Sequence, residues 1–223
     1  MIIAIDGPAG SGKSSVAKTV ATRLGFRYLD TGAMYRAVAF YALANGIQPW
    51  DEEGVAAIVE KNRIDFAHEP GNPFPTRVLI SGEDVTAAVR TPSVDDAVSF
   101  VARMGAVREA MVPQQRELAN GYDCVVEGRD IGTVVFPDAA LKVFLTATPE
   151  ERARRRAAQQ AESGILLDAA GVREALMRRD EIDSTRLHSP LVPADDAVLV
   201  DTSELSFEQV VERVCELARE RGA

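Results

Sequence analysis

The sequence predicts a three-layer α/β fold around a five-stranded parallel sheet, and three observations predict it. Five short apolar runs rich in branched or aromatic residues are spaced among helical patterns. Helix-start signals stand just after the last two of those runs. A glycine-rich turn joins the first run to the first helical pattern. With 223 residues, 46% of them hydrophobic and 6% aromatic, the chain is long and apolar enough for one compact domain carrying a small insertion.

In chain order, Ile2 to Asp6 reads as the first strand, followed by a helix whose apolar face is Val16, Val20, Ala21 and Leu24. Phe26 to Asp30 is the second strand. Residues 62 to about 100 break the rhythm, because Ile64, Phe66 and His68 alternate, Pro70 to Pro75 form a turn, and Arg77 to Ile80 run on as another strand. A small β insertion is expected there, within a core formed by 1–61 and 101–223. Thr91-Pro92 starts a new helix, and the pattern from Val94 through Leu118 predicts two helices returning to the sheet. Cys124 to Glu127, Lys142 to Ala147 and Ala197 to Asp201 complete the set of strands. Thr148-Pro149-Glu150-Glu151 offers a capping Thr, Pro at the first helical position and Glu at the third, and Ser206-Phe207-Glu208-Gln209 repeats the capping box. The last helix carries one apolar stripe, Phe207, Val210, Val211, Val214, Leu217 and Ala218, and ends near Gly222.

Charge narrows the classes of ligand. Lys and Arg number 25 against 34 Asp and Glu, a formal net charge of -9, which argues against a nonspecific grip on polymeric nucleic acid or an anionic membrane. Only four of the cations are lysines and the other 21 are arginines, whose planar fork suits phosphate and carboxylate, although a biased genome composition gives the same count. Cys124 and Cys215 have no ligand spacing and read as small buried hydrophobes. No basic leader and no long apolar span is evident, so a cytoplasmic location is expected.

Gly7-Pro8-Ala9-Gly10-Ser11-Gly12-Lys13-Ser14 fits Gly-x4-Gly-Lys-Ser between the first strand and the first helix. Its glycines let backbone N–H groups converge on phosphate oxygens at the positive end of the helix. Lys13 is expected to bridge the β and γ phosphates and Ser14 to offer its hydroxyl to Mg²⁺, so the run from Gly7 to Ser15 forms the candidate ATP-binding set. A switch protein that reads guanine would carry Asn-Lys-x-Asp, which is absent. A nucleic-acid engine would need a basic surface. Both points shift the weight toward a small kinase.

Arginines fall where a parallel sheet would aim them at one cleft. Arg36 follows the second strand and Arg129 the third, so they either share one anion or each pair with a nearby carboxylate. Glu127 ends a strand where an acid commonly orients Mg²⁺ or its water shell, and the other reading is that it neutralises Arg129. Arg152, Arg154, Arg155 and Arg156 read as a closing lid around residues 152–168, or else as a solvated face countered by Glu150, Glu151 and Glu162. Arg179, Asp180, Asp183 and Arg186 are equally an ion-pair face or a ribose and phosphate contact.

The combination resembles the bacterial cytidylate kinase family over nearly the whole chain. The resemblance rests on Ile5-Asp6-Gly7-Pro8 with the cradle, Asp30-Thr31-Gly32-Ala33-Met34-Tyr35-Arg36, Gly82-Glu83-Asp84-Val85-Thr86, Val107-Arg108-Glu109-Ala110, Gly128 through Asp138, and Pro190-Leu191-Val192-Pro193. It implies a P-loop kinase fold, transfer of the γ-phosphoryl group of ATP to CMP or dCMP, and a nucleotide-monophosphate-binding insertion at residues 62–100. It also implies that Ser99, Arg108 and Asp130 address cytosine, that Arg179 and Asp183 address the sugar, and that Arg36, Arg129 and Arg186 hold the acceptor phosphate. Thr31 belongs to the same set, at a position where relatives often have Ser. Lys13, Arg129, Arg154 and Arg156 are the expected catalytic cations, and Ser14 with Glu127 the expected Mg²⁺ contacts.

The chemistry agrees, because a phosphate oxygen of the acceptor is largely ionised at neutral pH and needs no catalytic base. The two histidines, His68 and His188, therefore need no role. The partners expected are ATP and CMP or dCMP, with no polymeric nucleic acid or membrane, and a monomer is expected. Two alternatives stay open: a kinase for another small acceptor such as UMP, and a nonenzymatic ATP-binding sensor.

Overall fold

A computed structural model describes residues 1–69, 72–162 and 169–223. Five parallel strands, β1 (Ile2–Asp6), β2 (Arg27–Asp30), β6 (Cys124–Gly128), β7 (Leu141–Thr146) and β8 (Val198–Asp201), form one sheet in the order β2-β6-β1-β7-β8. The five strands expected from the apolar runs all form, with ends shifted by a residue or so. The three strands β3 (Ile64–His68), β4 (Pro75–Ile80) and β5 (Glu83–Asp84) make a separate antiparallel sheet. Ser81 and Gly82, both at positive φ, turn β4 into β5. Pro70 and Gly71 of the expected turn lie outside the described residues, as does the stretch 163–168 of the expected lid.

The central strands of the sheet are buried on both faces and alternate between them, whereas Leu199 of the edge strand β8 is exposed. Ile3 and Ile5 of β1 and Val125 of β6 pack with Val16 and Val20 of α1 (Lys13–Leu24) and Val211 and Val214 of α8 (Phe207–Glu220). Ala4, Cys124 and Val126 face the opposite layer, where α2 (Thr31–Ala44), α3 (Glu52–Lys61), α4 (Pro92–Val101) and α5 (Gly105–Ala119) gather. Ile64, Ile80, Val94 and Val98 lie in that same cluster with Met34, Val38, Val59 and Met111, so residues 62–100 are packed onto the main body rather than around a core of their own. Two further helices, α6 (Pro149–Glu162) and α7 (Ala169–Thr185), stand side by side and contribute Ala153, Val172 and Leu176 to a small cluster closed by Ala9 of the cradle.

The end signals act as their chemistry predicts. Ser206 and Gln209 form a complete capping box on α8. The Thr148 hydroxyl accepts from the Glu151 N–H at 3.3 Å. Thr91 precedes α4 but its hydroxyl turns back to donate to the Ala88 carbonyl at 3.0 Å, so α4 starts with Pro at the first position and no side-chain cap. Phe207 corrects the expected stripe: it is half exposed, and Cys215, fully buried, completes the face instead. Both cysteines are free and buried. Among the described residues no helix is long and apolar enough to cross a membrane.

Candidate active site

Parallel pairing brings the carboxyl ends of the central strands to one edge, where ligands of such sheets bind. Asp6 is level with Gly128 and Asp30 with Glu127, so the loops leaving β1, β2 and β6 emerge side by side. The first of these is the glycine-rich run. At Gly7 a Cβ would lie 2.1 Å from the Leu145 carbonyl oxygen, and at Gly10 it would lie 2.9 Å from the Arg152 carbonyl oxygen, so only glycine fits at either position. Helix α1 then starts with no side-chain cap and no acid in its first turn, whereas Asp30 caps α2 and Asp51 caps α3. Its free N–H groups form an anion-binding end. Lys13 is buried there, donating to the Pro8 carbonyl at 3.3 Å, and burial, followed by the Arg129 charge, lowers its pKa to about 7.

Glu127 and Ser14, from separate elements, meet as expected: the Ser14 hydroxyl donates to Glu127 Oε2 at 2.7 Å. The buried Tyr28 hydroxyl donates to Glu127 Oε1 from the other side. Burial, with Asp30 adding to it, raises the Glu127 pKa. Arg129 takes a different partner, Asp183, so Glu127 does not serve to neutralise it. Tyr28 carried no motif of its own; its position in a strand signalled packing only.

The remaining residues assemble into an alternating chain of charge. Arg108 Nη2 donates to Asp130 Oδ2 while Arg108 Nη1 donates to the Ala102 carbonyl at 2.7 Å. Arg186 lies 3.9 Å from Asp130 and 3.7 Å from Asp183, and Arg129 Nε donates to Asp183 Oδ2 at 3.0 Å. Five residues from α5, the end of β6, α7 and the segment after it thus meet in one mostly buried row. The surrounding guanidiniums hold the Asp183 carboxyl below its usual range against the opposing effect of its burial. Arg179, on α7, is lowered to about 10 by burial first and by Arg129 next, with Arg36 also opposing its charge. Arg129 thus opposes the charge of both Lys13 and Arg179, and Arg36 that of Arg179, so the cations of the cradle and of the row share one electrostatic neighbourhood.

Not every expected contact joins this row. Thr31 donates its hydroxyl to the Glu127 carbonyl at 2.7 Å, tying the start of α2 to β6. Ser99 is half buried on α4, and no polar contact among the described residues joins it to Arg108 or Asp130. Arg36 pairs with Asp95 of α4.

The arginines of α6 divide by the partners they reach. Arg152 is buried and donates to the carbonyls of Ala147 and Ala9 at 3.1 and 3.2 Å and to Asp180. Arg155 reaches the Ser11 carbonyl at 3.3 Å and Thr202 Oγ1 at 2.8 Å. Both are braces for the cradle, neither the closing lid nor the solvated face that the sequence left open for them. The bonds to loop carbonyls fix them in place. Arg154 is 70% exposed and forks onto Glu151, while Arg156 lies 3.4 Å from Asp95. Asp6, buried at the end of β1, accepts from the N–H groups of Ile131 and Gly132 at 2.9 and 2.8 Å and so anchors the loop carrying Arg129 and Asp130. Its burial raises its pKa to about 6.

Similarity to known proteins agrees with this geometry. The family model described as cytidylate kinase matches residues 3–220. A cytidylate kinase of Pelotomaculum thermopropionicum is 49% identical over 95% of this chain and 93% of its own. One of Mycolicibacterium paratuberculosis is 48% identical over 100% of this chain and 96% of its own. In a bifunctional pantoate ligase/cytidylate kinase of Synechococcus elongatus the match, 48% identical, covers 99% of this chain but 42% of that protein. The shikimate kinase structure from Bacteroides thetaiotaomicron superposes with a TM-score of 0.51 at 15% identity over 98% of each chain, a likeness of fold alone. With a cradle, a buried acid beside it and a row of arginines at the same sheet edge, and with a family match that spans nearly every residue, the chain belongs to the cytidylate kinase family.

Proposed function

We propose that this protein transfers the γ-phosphoryl group of ATP to CMP or dCMP, giving ADP and CDP or dCDP. The observation that carries the reading is the meeting, at one sheet edge, of the glycine cradle with its buried Lys13, the Ser14–Glu127 contact and the row Arg108–Asp130–Arg186–Asp183–Arg129. Arg129 opposes the charge of Lys13 and of Arg179, a repulsion that polyanions entering among them relieve. In the reaction an oxygen of the acceptor phosphate forms a bond to the γ phosphorus, and the bond from that phosphorus to the bridging oxygen of ADP breaks. Repulsion between the two anions is the obstacle, and fixed cations with in-line alignment remove it.

In this reading residues 7–15 hold ATP, with Lys13 on its β and γ phosphates. Arg36, Arg129 and Arg186 hold the acceptor phosphate, and Arg179 and Asp183 the sugar. Cytosine meets Ser99, Arg108 and Asp130, whose carboxylate can accept from the exocyclic amine while Arg108 donates to the ring. Arg154 and Arg156 stand on α6 as the expected partners of the transferred group, and residues 62–100 form the acceptor-binding side.

Ser14 and Glu127 fit Mg²⁺: a hydroxyl and a buried carboxylate 2.7 Å apart are hard oxygen donors beside the cradle. Bound there with ATP, Mg²⁺ supplies charge neutralisation of the phosphates. Tyr28 and Ser14 hold the Glu127 carboxylate from both sides in readiness. Action as a monomer in the cytoplasm belongs to the same reading, and the two free, buried cysteines fit a reducing compartment.

The test compares initial ADP release with CMP, dCMP, UMP and AMP at equal concentration. CMP and dCMP are expected to be the preferred acceptors. Equal rates with UMP or AMP overturn the cytosine assignment, and ATP binding without acceptor-dependent ADP makes the protein a sensor.

A further inference from the structure

Asp95 was singled out by no motif, yet it sits between two of the arginines assigned to the phosphates. Its Oδ1 accepts from Arg36 Nη1 of α2, and its Oδ2 lies 3.4 Å from Arg156 Nη2 of α6. The three side chains are 32%, 22% and 30% exposed, enough shelter to make the pairs matter and enough opening to let a ligand in. Arg179 feels the same carboxylate, which offsets part of its repulsion from Arg129 and Arg36. Asp95 belongs to the first turn of α4, and through it the acceptor side meets Arg156 of α6.

A carboxylate between two guanidiniums imitates a phosphate between them, with one negative charge where a nucleoside monophosphate at neutral pH brings between one and two and more acceptor oxygens. The stronger anion displaces the weaker. We propose that Asp95 is an internal counter-anion that holds Arg36 and Arg156 together in the empty enzyme and is displaced by the acceptor phosphate, so that Arg156 is released toward the γ-phosphoryl group only when an acceptor is present.

The inference rests on the assignment of Arg36 to the acceptor phosphate. Its consequence is protection of ATP. Without an acceptor, a water oxygen can attack the γ phosphorus and the bond to ADP breaks, giving inorganic phosphate. An Arg156 tied to Asp95 cannot stabilise that step. Once the acceptor phosphate has taken Arg36, both oxygens of Asp95 lose their fixed geometry and α6 is free to turn its cation to the reacting centre.

The experiment uses Asp95→Asn, with Asp95→Ala as a second variant in case the amide alters the start of α4; thermal melting checks folding of each. Binding of CMP without ATP, measured by calorimetry, is expected to tighten about five- to tenfold, since two sheltered ion pairs no longer compete. Cytidine, which lacks the phosphate, is expected to bind unchanged. Acceptor-free ATP hydrolysis is expected to rise several-fold. Weaker or unchanged CMP binding in both variants overturns the counter-anion, because a merely structural pair would weaken binding when broken. Tighter CMP binding with unchanged hydrolysis overturns the release of Arg156. Arg36→Ala separates the two levels: if it leaves CMP binding unchanged, the phosphate assignment falls and the inference with it. If it weakens CMP binding while the Asp95 variants do not tighten it, the counter-anion alone falls.

Discussion

In the cradle, consecutive residues from Gly7 to Ser14 make the whole shape, and the curve is that of backbone passing within contact distance of Leu145 and Arg152. On the acceptor side Arg36, Arg108, Arg129 and Arg186 come from α2, α5, the end of β6 and the segment after α7, and each faces a carboxylate from another part of the chain, Arg186 meeting Asp130. The first site binds with dipoles fixed by covalent neighbours. The second binds with full charges whose positions depend on packing across more than a hundred residues. A backbone site is therefore readable from a short motif and hard to alter without breaking it, whereas a charge network can be tuned one pair at a time.

The largest expected effect breaks the donor half. Lys13→Ala is expected to lower turnover by about a thousandfold or more, with circular dichroism unchanged, because the cation of the cradle acts on the reacting phosphates. Near-normal turnover would show that the cradle works by its backbone alone. Next comes the acceptor half. Arg129→Ala is expected to raise KM for CMP by about ten- to a hundredfold and to leave ATP binding within a factor of a few, as befits loss of a charge-assisted bond on one side of the network. An equal loss of ATP affinity, read by calorimetry, would mean that the two halves are not separable.

The smallest effect concerns Asp6, which joins the halves by holding the Arg129 loop from β1. Its folded pKa of about 6 is raised from the usual 3.8, so its contribution to stability is fully present below about 4 and is lost as pH rises to about 6. Asp6→Asn, which keeps one acceptor but sets an amide N–H against a backbone N–H, is expected to cost about 1–3 kcal/mol at low pH. The difference from the wild type should shrink between pH 4 and 6. Urea unfolding across that range measures it, and a difference that grew with pH would place the ionised carboxylate, rather than its burial, in control.

Much of this architecture was legible in the residues. Branched apolar runs such as Ile2 to Asp6 and Cys124 to Glu127 form strands because a doubly covered sheet demands continuous apolar surface. Ser206 and Gln209 cap α8 because the two side chains satisfy N–H groups within one turn. The Ser14–Glu127 contact was anticipated from the strand-end position of an acid. The partners Tyr28 and Asp95 were not, since each lies in a segment whose local pattern reads as packing or as a helix start, and Asp6, though part of the Ile5-Asp6-Gly7-Pro8 run, carried no signal of its hold on the Arg129 loop. The four arginines of α6 show the same boundary. Their number suggested one lid, while Arg152 and Arg155 reach carbonyls of the cradle, Arg156, one turn on from Arg152, reaches Asp95, and only Arg154 is turned to solvent.

What the sequence alone determined is what covalent neighbours decide: the strands, the helix ends and the glycine cradle, where backbone freedom and hydrogen-bond geometry act within a few residues. Which carboxylate answers which arginine was decided only in the folded chain. Coulomb attraction depends on distance and burial, and neither exists until β1, β6, α4 and α7 have been brought to one sheet edge.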